Sequence, residues 1–169
     1  MRTSKRLPEV AYHEAGHAVA TCWAGFTLQD INIVPEITEK GDLIVGSTPM
    51  DTGYLDHTNP DKDELSFEIH WETIKVVVCC LSGGIAEERF TGYASSFLHD
   101  DIQMVDVILK QNIRTEEVQK KLLKESQEIA EKILNCHWEA VDSLAMALIE
   151  RRKIPADEVK KIIESALEK

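Results

Sequence analysis

Residues 8–24 read Pro-Glu-Val-Ala-Tyr-His-Glu-Ala-Gly-His-Ala-Val-Ala-Thr-Cys-Trp-Ala, and Gly25 follows directly. The apolar residues of this stretch recur at helical spacing, which predicts a helix packed against a core. A proline and a glutamate are typical of a first helical turn, and a glycine is typical of the residue that ends a helix. We therefore expect a helix over 8–24 that carries His13 and His17 one turn apart on the same side.

The segment His13-Glu14-Ala15-Gly16-His17 contains residue types that zinc hydrolases use. Two imidazoles at positions i and i+4 of one helix can bind a single tetrahedral ion. A catalytic zinc ion also needs a water molecule in an open position and a carboxylate that takes the proton of that water. We expect Zn²⁺ as the cofactor, His13 and His17 as ligands, and Glu14 as the general base on a zinc-bound water.

A catalytic zinc site usually has a third protein ligand, and the spacing of residues does not identify it here. The chain offers many carboxylates and four further histidines: His57, His70, His99 and His137.

Three stretches of the chain together resemble a known protease family. Residues 12–19, Tyr-His-Glu-Ala-Gly-His-Ala-Val, resemble the zinc motif of peptidase family M41, the metallopeptidase domain of FtsH-type AAA proteases. Residues 81–90, Leu-Ser-Gly-Gly-Ile-Ala-Glu-Glu-Arg-Phe, are similar to that family's Leu-Ala-Gly-Arg-x-Ala-Glu-Glu helix. Ala94-Ser95 with Asp100-Asp101-Ile102 resembles its Gly-Ala-x-Asn-Asp-Leu segment. The order and separation of these stretches fit the family over nearly the whole chain.

The resemblance implies a third ligand. The family's zinc site is completed by the aspartate of the Asn-Asp-Leu segment, which corresponds to Asp101. The segment 93–99, which precedes Asp100-Asp101, contains more residues than the corresponding segment of the family. Because these extra residues affect the alignment around Asp101, His99 is the alternative ligand. Asp100 forms a capping-box pattern with Gln103, and we expect it to cap a helix.

Glu87 and Glu88 are candidates to orient a ligand imidazole, because histidines that bind metals usually donate their second ring N–H to an acceptor. Glu88 is the candidate for this role, and the alternative is that both glutamates are solvated charges at the end of a helix.

The predicted fold is mainly α-helical and M41-like, with a small β hairpin or sheet beside the zinc-binding helix. Residues 1–169 are expected to form a single zinc peptidase domain of ordinary size. Besides the first helix, the sequence predicts strands at 28–34 and 43–45, a loop at 49–63, and helices at 60–90, 100–113, 115–152 and 156–168. We expect Asn59-Pro60 to begin the helix over 60–90, Thr91-Gly92 to end it, and Thr115 to cap the helix over 115–152.

Composition restricts the classes of function. Hydrophobic residues make up 43% of the chain and charged residues 29%, which is usual for globular proteins. The net charge of −11 disfavours binding to nucleic acid or to anionic lipid. Uninterrupted apolar stretches such as 76–81 are too short to span a bilayer, so we expect no membrane insertion. The four cysteines match no disulfide or metal-knuckle pattern and are expected to be buried thiols in a reducing cytoplasm.

These observations predict a zinc metalloendopeptidase that hydrolyses peptide bonds in unfolded or flexible protein substrates. The chain contains no Gly-x-x-x-x-Gly-Lys-[Ser/Thr] string, so dependence on ATP would require a separate AAA ATPase partner. The family's hexameric rings imply a homo-oligomer. The first alternative is a non-catalytic, zinc-stabilised peptide-binding or regulatory module. The second is a metal-free helical interaction subunit that uses 115–152 as its interface.

Overall fold

The computed structural model describes residues 7–37, 43–44, 46–51, 67–93 and 98–168. In this part of the chain the fold is mainly helical, with short antiparallel strand pairs beside the first helix, as the sequence predicts. The helices are α1 (Leu7–Ala24), α2 (Phe67–Thr91), α3 (Leu98–Asn112), α4 (Glu116–Cys136), α5 (Trp138–Arg151) and α6 (Ala156–Leu167). The strands are β1 (Thr27–Leu28), β2 (Ile31–Asn32), β3 (Glu36–Ile37), β4 (Leu43–Ile44), β5 (Met50–Asp51) and β6 (Lys153–Ile154).

Helix α1 is buried along almost its whole length and ends as the sequence predicts. Gly25 has a φ of 75°, a left-handed conformation that favours glycine. Its N–H donates to the carbonyl of Cys22, and the N–H of Phe26 donates to the carbonyl of Thr21. This pair of hydrogen bonds is a Schellman-type cap, which satisfies carbonyls that the end of the helix would leave unpaired.

Helix α2 is the central helix and contacts α1, α3 and α4. It ends at Thr91, and Gly92 follows with a φ of 78°, in agreement with the predicted stop. Its segment Ile69–Thr91 is long and apolar enough to cross a membrane by length and composition. In this fold 67% of its most apolar window is buried, and buried core helices commonly meet the same criterion.

Helices α1 and α2 approach each other closely at Gly16. A β-carbon on Gly16 would overlap the backbone carbonyl of Ser82 and would lie 2.6 Å from the β-carbon of Ala86. His13 contacts Glu87 while His17 contacts the carbonyl of Cys79, so the two helices run antiparallel. The glycine in the middle of the histidine motif therefore sets the distance between the two helices.

The sequence predicted a single helix over 115–152, but the structure divides this stretch into α4 and α5 at His137. The φ of −117° and ψ of 26° at this residue are not helical. The break allows α4 to pack on α2 while α5 packs on α1. Trp138, directly after the break, lies under the guanidinium of Arg89 at 4.1 Å and beside the ring of Tyr12. Tertiary packing explains the break, since no proline or glycine is present to cause it.

The β element exists, but its pairing differs from the predicted hairpin. The stretch 28–34 is not one strand, and its β2 portion pairs with β6 near the end of the chain. The hairpin partner of β4 is β3, and β1 pairs with β5, which lies inside the predicted loop 49–63. Val45, residues 52–66 and the predicted start of a helix at Asn59-Pro60 lie outside the described residues.

Several smaller predictions can also be compared with the structure. Thr115 is the N-cap residue of α4, but its side chain makes no capping hydrogen bond. Helix α3 begins at Leu98, so Asp100 lies inside its first turn and the prediction that it is the capping residue is wrong. All four cysteines are free thiols. Cys79 and Cys80 are buried as expected, whereas Cys22 is only partly buried and Cys136 is exposed.

We predict that Gly16→Ala destabilises the protein by about 1 to 3 kcal/mol, because the new methyl group overpacks the contact between α1 and α2. Where no clash exists, replacing glycine by alanine inside a helix stabilises by about 1 kcal/mol. The sign of the change in the free energy of unfolding therefore shows whether the new methyl group clashes. Urea unfolding measures the change.

The double variant Gly16→Ala, Ala86→Gly should recover only part of this loss, because the overlap with the Ser82 carbonyl remains. A stabilised single variant would contradict the proposed close approach of the two helices.

Candidate metal centre

Three side chains from two helices converge on one point. The Nε2 atoms of His13 and His17, one turn apart on α1, are 3.0 Å from each other. Oδ2 of Asp101, on α3, lies 3.1 Å from the first of these nitrogens and 3.5 Å from the second. The structure therefore brings together both histidines of the motif and the aspartate that the family resemblance implied.

The second ring nitrogen of each histidine has its own acceptor on α2. Nδ1 of His13 lies 3.2 Å from a carboxylate oxygen of Glu87, and Nδ1 of His17 lies 2.7 Å from the carbonyl oxygen of Cys79. These acceptors favour the tautomer in which Nδ1 carries the hydrogen and Nε2 presents a lone pair. Both lone pairs then point toward Asp101, which is the arrangement required of metal-binding imidazoles.

Glu88 is not the residue that orients His13, so that prediction is wrong. Glu87 is 2% exposed and faces α1, whereas Glu88 is exposed to solvent. Consecutive residues of an α-helix point about 100° apart, so only one of two neighbours can face the same partner helix.

The electrostatics of the cluster favour a cation. Oδ2 of Asp101 is buried and accepts no well-directed hydrogen bond. Burial acts to lower the pKa of His13, but contacts with Asp101 and Glu87 outweigh it and raise the pKa to about 9. Burial acts to raise the pKa of Asp101, but its contacts with His13 and His17 hold that pKa well below its usual range. In the metal-free protein, a proton on His13 supplies the positive charge that the buried carboxylates require.

The three donor atoms fit a zinc ion in type and in spacing. Two imidazole nitrogens and one carboxylate oxygen are a common set of three protein ligands for catalytic zinc. A tetrahedral ion with bonds of about 2.0 Å separates its ligand atoms by about 3.3 Å. The separations of 3.0, 3.1 and 3.5 Å agree with this value to within about a tenth. The residues present therefore fit the cofactor that the motif predicts.

Glycine residues allow the backbone to approach the site closely. A β-carbon on Gly83 of α2 would overlap the ring of His17, so the imidazole packs flat against bare backbone. A β-carbon on Gly46 would overlap the carboxylate of Glu14. The Glu14 side chain is itself 6% exposed and accepts a hydrogen bond of 2.6 Å from the hydroxyl of Thr48.

Two of the other candidate ligands lie in the part of the chain that the structure describes, and they are not part of this group. His70 lies on α2, and His137 lies at the junction of α4 and α5; neither belongs to the metal-binding group. Cys80 of α2 interacts electrostatically with Asp101, and burial raises the pKa of its thiol to about 12. The thiol therefore stays protonated at neutral pH. His57 and the side chain of His99 lie outside the described residues.

A cavity of about 620 Å³ lies apart from this cluster, near the C-terminal end of α1. Its walls include Trp23 and Phe26 from the region of α1 and β1, and Lys160 and Ile163 from α6. Neither the motif histidines nor Glu14 nor Asp101 lines this cavity. The candidate site is therefore assigned from the chemistry of its side chains and not from a cavity.

The chain matches no protein-family model and no curated protein. The likeness to peptidase family M41 therefore rests on the three quoted sequence stretches.

Sequence reasoning missed Thr48 and Gly83 as parts of the site. Thr48 lies on a segment with no periodic signal, and its contact with Glu14 spans 34 positions of the chain. The helix pattern at residues 81–90 placed Gly83 on α2, but only the packing of α2 against α1 reveals that it faces His17.

We predict that Glu87→Gln weakens zinc binding about 10- to 100-fold, because His13 loses the carboxylate that orients its ring. Glu88→Gln removes the same charge from the neighbouring exposed position and should leave the affinity within about two-fold of wild type. Competition with a fluorescent zinc chelator measures both constants. Equal effects of the two substitutions would show that net charge, not orientation, matters.

Zinc binding at pH 7 should release about one proton from His13, because the ligand must be neutral and its pKa in the metal-free protein is about 9. The apparent affinity should therefore rise about ten-fold per pH unit between pH 6 and 8. Titration calorimetry in buffers of different ionisation enthalpy counts the protons. Binding without proton release would contradict a protonated His13.

Proposed function

We propose that this chain is a zinc metalloendopeptidase that resembles the M41 family and cleaves unfolded or flexible polypeptides. The observation that supports the proposal is the convergence of His13 Nε2, His17 Nε2 and Asp101 Oδ2 on one point. The buried carboxylate of Glu14 is close enough to interact electrostatically with His13. Structural zinc sites are usually closed by four protein ligands and need no base. Three ligands with an adjacent carboxylate are typical of hydrolytic sites.

The chain's own residues have separate roles in this proposal. His13, His17 and Asp101 hold the ion, while Glu87 and the carbonyl of Cys79 fix the two imidazole rings. Zinc, when bound, is a Lewis acid that polarises a carbonyl and lowers the pKa of water.

Glu14 then takes the proton of the water that attacks the peptide carbonyl. The same carboxyl group returns the proton to the departing amine, which completes the hydrolysis without a covalent intermediate on the protein. Its burial at 6% exposure keeps this carboxylate out of bulk solvent, where hydration would weaken its interactions with the reacting groups.

The substrate class follows from the need to bring a peptide bond to a buried site. His13, Glu14 and His17 are between 5% and 7% exposed, so a segment inside a folded domain would not reach them. A flexible tail or an unfolded chain is therefore the proposed substrate. A separate AAA ATPase that unfolds and delivers proteins is the proposed partner for folded substrates. Because the family resemblance implies hexameric rings, we also propose that the chain forms a homo-oligomer.

We predict that zinc-loaded wild-type protein cleaves an unfolded protein such as reduced casein without ATP, and that Glu14→Gln lowers the rate by about 10² to 10⁴-fold. The matched control is Glu128→Gln, which changes the same residue type at an exposed position of α4 that is not part of the metal-binding group. Gel densitometry measures loss of the intact substrate, and a chelator should abolish it.

Stoichiometric zinc with equal rates in wild type and Glu14→Gln would refute the peptidase proposal. In that case the non-catalytic, zinc-stabilised binding module would be the better explanation of the site.

A further inference from the structure

Thr48 forms the shortest described hydrogen bond to the carboxylate of Glu14. Its hydroxyl oxygen lies 2.6 Å from Oε2 and 3.2 Å from the backbone carbonyl oxygen of Glu14. A hydroxyl has one hydrogen and donates to one acceptor at a time. The charged carboxylate is closer and forms the stronger bond, so Thr48 donates mainly to Oε2.

The same short segment also restricts the position of Oε1, the other carboxylate oxygen of Glu14. Gly46 packs against Oε1 so tightly that a β-carbon there would overlap it. Gly46 and Thr48 therefore contact the two oxygens of Glu14 from one side, and together they leave little freedom for the carboxylate to rotate.

The segment that carries Thr48 is held by the β element. Ser47 exchanges two backbone hydrogen bonds with Asn32 of β2, at 2.9 and 3.2 Å. The neighbouring Ile31 is fully buried and pairs with Ile154 of β6. Thr48 is therefore fixed to the core through these strands, and it is not carried by an isolated turn.

A glutamate side chain has three rotatable bonds and loses rotational freedom when it must present one oxygen to a water molecule. Fixing the carboxylate in advance removes that cost from the reaction. We propose that Thr48 is a positioning residue that holds Glu14 in the orientation required for proton transfer. This inference rests on the peptidase function proposed above.

The kinetic test compares two substitutions at Thr48. Thr48→Val keeps the shape but removes the hydroxyl, and kcat should fall about 10- to 100-fold while KM stays within about two-fold. Thr48→Ser keeps the hydroxyl and should restore most of kcat. An unchanged kcat in Thr48→Val would overturn the proposal.

A second measurement does not depend on activity. In a double-mutant cycle on urea unfolding at one fixed free zinc concentration, Thr48→Val and Glu14→Ala should show coupling of about ten-fold in the unfolding equilibrium constant. Thr21→Val is the matched control, because Thr21 donates a bond of 2.7 Å to the backbone of α1 at His17 and has no bond to Glu14. Its effect should add to that of Glu14→Ala.

The outcomes separate the two proposals. Additive effects of Thr48→Val and Glu14→Ala, within about two-fold, would overturn the role of Thr48 whether or not the chain cleaves peptides. Strong coupling in a zinc-loaded protein that cleaves nothing would overturn the peptidase function and, with it, positioning for catalysis.

Discussion

The close antiparallel contact between α1 and α2 is the constraint on which the rest of the structure depends. Two glycines make it possible: Gly16 lets α1 approach the carbonyl of Ser82, and Gly83 lets the ring of His17 lie on the backbone of α2. At this separation, Glu87 and the Cys79 carbonyl come within hydrogen-bonding distance of the two imidazoles. A wider spacing would leave both rings without fixed acceptors, and their outward lone pairs would not converge.

The candidate metal cluster opposes folding as long as it lacks a positive charge. Carboxylates and imidazole lone pairs are all acceptors, and burying them together is unfavourable unless a proton or a metal ion lies between them. The structure meets this requirement in part by raising the pKa of His13, whose single positive charge offsets one of the two negative charges on Asp101 and Glu87. A metal ion would take over the same role, so folding and ion binding are expected to favour each other.

The sequence predicted what is local and failed where distant contacts decide. The spacing of His13 and His17 fixed their shared face, and glycines ended α1 and α2 because a left-handed residue is required there. Asp101 came only from family resemblance, since no local rule brings α3 to α1. The choice between neighbouring glutamates on α2 depended on the rotation of the helix, and the break at His137 depended on packing against α1. Both require knowledge of a partner element.

The pairing of β2 with β6 has a consequence for how the protein is made. Strand β2 supports the segment beside Glu14, but its partner strand lies close to the end of the described chain. Contacts between such distant positions form late, because a long loop must close first. A chain emerging from the ribosome would thus hold both motif histidines long before this support exists. Synthesis itself would then delay this support of the Glu14 segment until residues 153–154 have left the ribosome.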